Sequence, residues 1–305
     1  MGEVFFIIPG RRCLMKLTYT ADRQGRLSSF LRGEMKLSSS LMNKLKWGDA
    51  IQVNGQPEHT NFSCVPGDLI TVDLEEPKPL YEPEEGMLSI LYEDEWLLAA
   101  DKPAGMLIHP SRARNTGTLA NYVMGYYEKT GQNSLFHPLT RLDRDTFGVV
   151  LLAKNAYTHT LLQQIPVEKT YHALTLGVPA EDRGTIDLPI ARKPLPSLLR
   201  EVSPEGKPSL TEYQVLERRE NLAKLALRPV TGRTHQLRVH CAACGFPILG
   251  DPQYGSSACG ELSRKLGLSG QLLCAWQLKL QHPVTGENLN MISQMDVDLR
   301  NIKLP

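Results

Sequence analysis

The spacing of apolar and polar residues changes along this chain and predicts two kinds of architecture. Residues 25–32 and 38–45 carry apolar side chains at helical spacing, and serines at the start of the second segment are typical helix caps. The predicted strands lie at 4–8, 50–53 and 68–74, with turns at Asn54-Gly55 and Pro66-Gly67. We therefore predict a small module of two helices and a hairpin sheet over residues 1–75.

Strands dominate the pattern from residue 88 onward. They are predicted at 89–92, 96–100, 149–153, 171–176, 211–216 and 224–227. Consecutive hairpins with helices inserted at intervals predict an α+β domain over residues 88–305, with a mixed, mainly antiparallel sheet.

Residues 76–87 join these two parts and contain three prolines and four glutamates without periodicity. This composition predicts an extended, semi-rigid linker. We expect its acidity to keep it away from polyanions and from neighbouring segments.

The net charge of +1 conceals a strong asymmetry. Residues 11–46 contain nine basic side chains against Asp22 and Glu34, a balance of 9 − 2 = +7. Residues 73–95 reverse this, with nine acidic side chains against Lys78. A local basic face indicates a polyanionic partner, although a merely solvated surface explains the charges equally well.

Several classes of protein are disfavoured. No apolar run approaches the roughly 20 residues of a membrane span, and the opening run is too short for a signal peptide, so we expect a cytoplasmic protein. Its six cysteines suit a reducing compartment.

Cys241 and Cys244 follow His240, but no second pair completes a metal site, and we expect both thiols to face the core. With no phosphate-binding glycine loop, metal cluster or serine-nucleophile motif, we predict neither cofactor nor metal.

Residues 137–148 place Asp143 between Arg141 and Arg144, just before an apolar strand. A carboxylate surrounded by arginines stays ionised and is suited to act as a nucleophile or base. Asp145 would point to the opposite side of an extended chain, which disfavours a paired-carboxylate site. From these residues alone, an ion pair at the strand end is the better explanation.

Residues 231–240 form the second conspicuous segment. They predict a short helix with a polar side and an apolar side. The polar side carries Thr234, His235 and Arg238. The apolar side carries Leu237, Cys241 and Cys244. For His235 and His240, hydrogen bonding along the helix is the favoured interpretation.

Together the two segments resemble the RluA family of pseudouridine synthases, and the resemblance extends to 92–95, 101–106 and 247–251. It implies that Asp143 is catalytic, that Arg238 pairs with it, and that Tyr171 stacks on the target base or takes the proton from carbon 5. Arg141 matches the arginine that fills the gap left by the extruded nucleotide. Isomerising uridine involves no net redox change or hydrolysis, which agrees with the predicted absence of a cofactor.

The N-terminal module is similar to the S-four-like RNA-binding module, with a packing or dimerisation domain as the alternative. The residues predicted to contact RNA are Arg26, Arg32, Lys44 and Lys46 in the module and Arg141, Arg233 and His235 in the catalytic domain. We expect structured RNA as the partner, large-subunit ribosomal RNA first and transfer RNA second. The sequence indicates no obligatory protein partner.

The chain departs from the family pattern at Thr140 and Phe147, and the connection 163–168 is shorter than usual. Since Asp143, Tyr171 and Arg238 are intact, these departures concern the RNA target more than the reaction. Two alternatives remain: an RNA-binding protein that has lost catalysis, and a nucleosidase that releases free uracil. The lack of a second suitably placed carboxylate disfavours the nucleosidase.

Overall fold

The computed structural model describes residues 14–75, 81–111 and 114–302, so the predicted strand at 4–8 lies outside it. The N-terminal elements are β1 (Leu14–Thr20), β2 (Gly25–Arg26), α1 (Leu27–Gly33), α2 (Ser39–Leu45), β3 (Ile51–Val53), β4 (Gln56–Pro57), β5 (Ser63–Cys64) and β6 (Leu69–Glu75). An antiparallel sheet runs in the order β1-β6-β3-β4, and β2 pairs with β5. The helices pack on this sheet through Phe30, Leu31 and Met42.

Local signals account for much of this module. The Ser38 hydroxyl accepts a hydrogen bond from the Leu41 amide at 3.2 Å, as expected of a helix cap. Asn54 and Gly55 have φ of 51° and 80°, the left-handed pair of a tight hairpin turn. The first helix begins at Leu27 and not at Gly25, because residues 25–26 pair with β5.

The larger part of the chain is built on a ten-stranded sheet. Its elements, in chain order, are β7 (Ile90–Glu93), β8 (Leu97–Lys102), α3 (Leu119–Lys129), β9 (His137–Pro138), β10 (Phe147–Ala153), α4 (Ala156–Leu162), β11 (Val167–Leu176), β12 (Arg183–Asp187), β13 (Ile190–Arg192), β14 (Arg200–Val202), β15 (Leu210–Arg219), β16 (Leu222–Pro229), α5 (Gln236–Ala243), α6 (Ser257–Lys265), β17 (Leu273–Gln281), β18 (Asn288–Ile292) and a 3₁₀ turn (Leu299–Asn301).

The main sheet runs β12-β15-β16-β11-β17-β10-β8-β7, with β18 beside β17 and β9 beside β10. Among the described strands, β10 and β17 form the parallel pair and the other pairs are antiparallel. The strands β13 and β14 form a separate hairpin. The predicted α+β class with a mixed, mainly antiparallel sheet is confirmed.

The parallel contact between β10 and β17 depends on Gly148. This residue has φ +107°, and a Cβ there would collide with the carbonyl oxygen of Ala275. The close approach lets the start of β10 pair with β17.

The linker is not free of its neighbours, and the expectation based on its acidity is wrong for the described residues from 81 onward. The Glu84 amide donates to the carbonyl of Asn121 at 3.1 Å, and the Asn121 side-chain amide donates to the carbonyl of Glu82 at 2.9 Å. The Glu84 carboxylate accepts from the Gly117 amide at 2.6 Å. Backbone partners on and beside α3 therefore outweigh the repulsion that composition suggests.

Tyr157 on α4 connects the two parts of the chain. Its ring packs against the apolar cores of both, and its hydroxyl donates to the Met35 carbonyl at 3.0 Å. Among the described helices, none combines the length and apolar character needed to cross a membrane.

Candidate active site

Asp143 lies in the loop between β9 and β10, and the loop is held from two sides. The buried Lys102 ammonium donates to the carbonyls of Pro103, Met106 and Arg144 at 2.9, 2.8 and 2.9 Å. Burial lowers the pKa of Lys102 to about 8, opposed by the nearby carboxylates. On the other side, the buried Thr140 hydroxyl accepts from the Leu151 amide at 3.2 Å.

Arg238 on α5 contacts Asp143 and is itself fixed by a second carboxylate. Its Nε and Nη2 donate to Asp251 at 2.7 and 2.8 Å, while Nη1 donates to Asp143 Oδ2 at 2.8 Å. Nη2 also donates to Gln253 Oε1 at 2.9 Å. The side chains of Arg238 and Asp251 are only 5% and 1% exposed. The bidentate contact thus orients the guanidinium so that its remaining nitrogen points at Asp143.

The electrostatics follow from this arrangement. Burial alone would lower the pKa of Arg238, but hydrogen bonds and charges from Asp251 and Asp143 more than offset it and raise the pKa. The guanidinium is therefore always charged. Asp143 and Asp251 therefore contact the same guanidinium, so one positive charge faces two carboxyl groups.

One oxygen of Asp143 remains available. The side chain is 31% exposed, and its Oδ1 accepts no hydrogen bond from the described residues. His235 Nε2 lies 3.7 Å from it, too far for a hydrogen bond. An ionised carboxylate held through one oxygen and open at the other can attack an electrophilic carbon or remove a proton.

Tyr171 lies on β11, where the pairing with β17 is irregular. Thr170 pairs with Gln277 but His172 pairs with Cys274, so one residue of β11 faces two of β17. Burial, together with the charge of Asp143, raises the pKa of Tyr171 to about 12. Its phenol is therefore protonated at neutral pH.

His235 completes the described surroundings of Asp143. It precedes α5 in a left-handed conformation with φ of 56°, so the helix begins at Gln236 and not, as predicted, before Thr234. Its Nδ1 lies 2.7 Å from the Tyr254 hydroxyl, which accepts from the Arg200 amide at 2.9 Å. Burial lowers the pKa of His235, although the charge of Asp143 opposes the shift.

Other predictions for this region have mixed outcomes. His240 is fully buried and hydrogen-bonds Thr211 Oγ1 and the Leu188 carbonyl, which confirms the interpretation as a hydrogen-bonding group. Cys241 is buried as expected, but Cys244 is exposed because α5 ends beside it. Within the described ranges, no group of three or more histidine, cysteine, aspartate and glutamate side chains is placed to hold a metal.

The arginines flanking Asp143 are not its partners, which corrects the prediction of a carboxylate surrounded by adjacent arginines. Arg144 forms a bidentate pair with Asp145 at 2.9 and 2.8 Å, and Arg141 is exposed. The residue that contacts Asp143 lies 95 positions away in the sequence.

The residues predicted to contact RNA fall into two groups. Arg141, Arg233 and His235 belong to the loops of the catalytic part, where the exposed Arg233 donates to the Pro208 carbonyl at 3.2 Å. Arg26, Arg32, Lys44 and Lys46 belong to the module and do not take part in the described contacts around Asp143. The structure brings Asp143, Arg238 and His235 together. Tyr171 lies near enough for the charge of Asp143 to contribute to its raised pKa.

Sequence-based prediction missed the role of Asp251 and Gln253. The segment 247–251 carried part of the resemblance, but nothing in its spacing indicated a partner for Arg238. The available signal was electrostatic: a buried arginine facing a single, partly exposed carboxylate is poorly compensated, which indicates a second acidic partner.

Comparisons with known proteins point to one family. A family model described as RNA pseudouridylate synthase matches residues 97–243. An uncharacterized RNA pseudouridine synthase of Bacillus subtilis is 34% identical over 279 residues, 88% of this chain and 95% of that protein. Ribosomal large subunit pseudouridine synthase D of Haemophilus ducreyi is 34% identical over 263 residues, 82% of this chain and 81% of that one. The solved structure of human RNA pseudouridylate synthase domain containing 1 matches with a TM-score of 0.57 and 28% identity, covering 70% of this chain and 86% of that one.

Proposed function

The chain belongs to the RluA family of pseudouridine synthases, and from this premise we propose that it isomerises uridines of large-subunit ribosomal RNA with Asp143 as its catalytic residue. The observation that carries the proposal is the buried contact of Arg238 with both Asp251 and Asp143. It places a permanent positive charge against Oδ2 of Asp143 and holds that side chain in place, with Oδ1 free to meet the target nucleotide.

The reaction breaks the bond between uracil and the ribose, rotates the base and rejoins it through carbon 5. Hydrogen leaves carbon 5 and nitrogen 1 gains one, so product and substrate have the same composition. A charged carboxylate serves each of the available routes: attack on the sugar, attack on the pyrimidine ring, or removal of a sugar proton to give a glycal. Arg238 provides the opposing charge in each case.

Tyr171 is proposed to stack on the extruded uracil. Taking a base out of its stack costs a few kcal/mol, and stacking on an aromatic ring returns about 1–3 kcal/mol of this. A phenol with a pKa of about 12 is protonated at neutral pH, which supports stacking over the removal of the proton from carbon 5.

The choice of ribosomal RNA is supported by relatives that are named as large-subunit enzymes, and transfer RNA is the second candidate. Phosphate contacts are assigned to Arg26, Arg32, Lys44 and Lys46 on the module, which would then be a binding domain for structured RNA. Closer to Asp143, the proposed contacts come from Arg141, Arg233 and His235. We expect this activity in the cytoplasm, where such RNA is found.

The test is tritium release from RNA labelled at carbon 5 of uridine, because forming pseudouridine must expel that hydrogen. Wild-type protein should release tritium from a large-subunit ribosomal RNA transcript, and Asp143→Asn should reduce the rate by at least about 10⁴-fold while binding the same RNA. Circular dichroism would show that the variant is folded.

Each alternative predicts a different result. A binding protein without catalysis would bind the transcript and release no tritium, whichever residue stands at 143. A nucleosidase would release free uracil that still carries its tritium. Release from transfer RNA alone would retain the reaction and change the substrate.

A further inference from the structure

Trp47 is the most unusual surface residue of the N-terminal module. It follows the end of α2 and is 81% exposed, although tryptophan offers one of the largest apolar surfaces of any side chain. The other two tryptophans differ: Trp96 is buried, and Trp276 stacks on His172 with ring centroids 4.2 Å apart. A single exposed apolar side chain is common on protein surfaces, so the case for a ligand here depends on what surrounds Trp47.

The neighbourhood of Trp47 is basic. The Lys46 ammonium lies 5.1 Å from the centre of the Trp47 ring, a cation–π contact that orders the indole and leaves most of it open. Lys44 is exposed one turn earlier, near the end of the same helix. An aromatic ring beside two flexible cations is the combination that binds an unpaired base together with its phosphates.

Charge is segregated along the module from residue 26 onward. Residues 26–46 carry five basic side chains against Glu34, and that glutamate pairs with Arg23. Residues 49–75 carry five acidic side chains and no lysine or arginine. None of the five basic side chains forms an ion pair with another described residue; these are Arg26, Arg32, Lys36, Lys44 and Lys46. Cations without ion pairs in this stretch indicate a polyanion and disfavour a basic or neutral protein surface.

We propose that Trp47 and Lys46 form a stacking site for an unpaired nucleobase of the substrate RNA, outside the active site. The base stacks on the open part of the indole, and Lys44 and Lys46 contact the adjoining phosphates. Because Tyr157 anchors the module on α4, this site holds a second point of the RNA while Asp143 meets the target uridine. The proposal rests on the proposed function, since it concerns the RNA on which that function acts.

The test measures RNA affinity by filter binding with a transcript of large-subunit ribosomal RNA, using variants that separate aromatic from merely apolar character. Trp47→Ala and Trp47→Leu should each weaken binding roughly tenfold, and Trp47→Phe should remain within about threefold of wild type. The matched control is Val65→Ala, another exposed apolar residue of the module, which should leave affinity unchanged.

Acrylamide quenching of tryptophan fluorescence gives an independent readout, because Trp47 is the most exposed of the three tryptophans. Adding the transcript should protect this fluorescence in wild type, and the protected component should be missing in Trp47→Phe. Unchanged affinity in Trp47→Ala, or equal affinity in Trp47→Leu and Trp47→Phe, would overturn the stacking site. A change of sedimentation in Trp47→Ala with RNA affinity intact would instead assign this surface to a protein contact.

Tritium release by the wild type, measured in parallel, separates the two proposals. Binding that depends on Trp47 without any tritium release would retain the stacking site and reject the proposed function.

Discussion

The N-terminal module and the larger domain around Asp143 differ in how their charged side chains are arranged. Around Asp143, charges are buried or partly buried and joined in a fixed network through Arg238 and Asp251. Within residues 26–46 of the module, five cations are left without ion pairs among the described residues. Buried pairs are costly to break and hold a geometry, whereas exposed cations are screened by salt and free to meet phosphates. The comparison teaches that the charges around Asp143 fix one arrangement of side chains, whereas those of the module stay open to solvent.

Breaking the buried network should have the largest effect. Asp251→Asn removes the charge that fixes Arg238, so we expect the rate of tritium release to fall about 100-fold and the free energy of unfolding to fall by about 3 kcal/mol. Rate measurements and urea denaturation check this. Gln253→Ala, which removes a single hydrogen bond to the same guanidinium, serves as the control and should cost less than tenfold. A rate within threefold of wild type in Asp251→Asn would show that the contact does not position Asp143.

Substitution of Tyr171 separates its ring from its hydroxyl. Because the phenol is protonated at neutral pH, Tyr171→Phe should retain the rate within about threefold, while Tyr171→Leu should lose about tenfold or more through lost stacking. For the same reason the wild-type rate should show no titration of Tyr171 between pH 6 and 9. A 100-fold lower rate of tritium release in Tyr171→Phe would contradict this prediction and indicate that the hydroxyl accepts the proton from carbon 5.

Mild acid should affect the two regions unequally. Burial lowers the pKa of five histidines, all in the catalytic part: His109, His159, His172, His235 and His240. The unfolded chain binds protons at these residues near pH 6.5 and the folded one only at lower pH, so stability present above pH 6.5 is lost as the pH falls. Each such histidine contributes at most about 1.4 kcal/mol per pH unit.

Hydrogen exchange at pH 7.0 and 5.5, corrected for intrinsic rates, measures this difference. Amides of β11 and β16 should lose protection, while those of β1 and β6 should change less, because none of these five histidines lies in the module. Equal losses in both regions would contradict the prediction and indicate a single cooperative unit joined at Tyr157.

The module should account for much of the salt dependence of binding. Lys44→Ala combined with Lys46→Ala should reduce the slope of log affinity against log salt by roughly 1–2, since each phosphate contact releases about one counterion. Asp143→Asn is the comparison, with an unchanged slope. An unchanged slope in the double variant would place the phosphate contacts elsewhere. Lys44 and Lys46 would then belong to a surface that is only solvated.

Much of the fold could be predicted because its signals are local. The serine cap of α2, the turn at Asn54-Gly55 and the alternation of β6 each depend on neighbours in the chain. The linker was predicted less well, because composition describes what a segment contains and not which backbone groups lie beside it. Its contacts with Asn121 and Gly117 depend on where α3 lies in the fold.

By itself, the sequence determined the α+β class, the family and the residues that resemble its catalytic aspartate, tyrosine and arginine. Only the tertiary structure decided how they are held: Asp251 on the far side of Arg238, Tyr171 opposite an irregularity of β17, and His235 in a left-handed turn. Short-range patterns report the conformation of neighbouring residues. The contact between Asp143 and Arg238 spans 95 residues and depends on how α5 lies against the loop before β10, which no periodicity in the chain encodes.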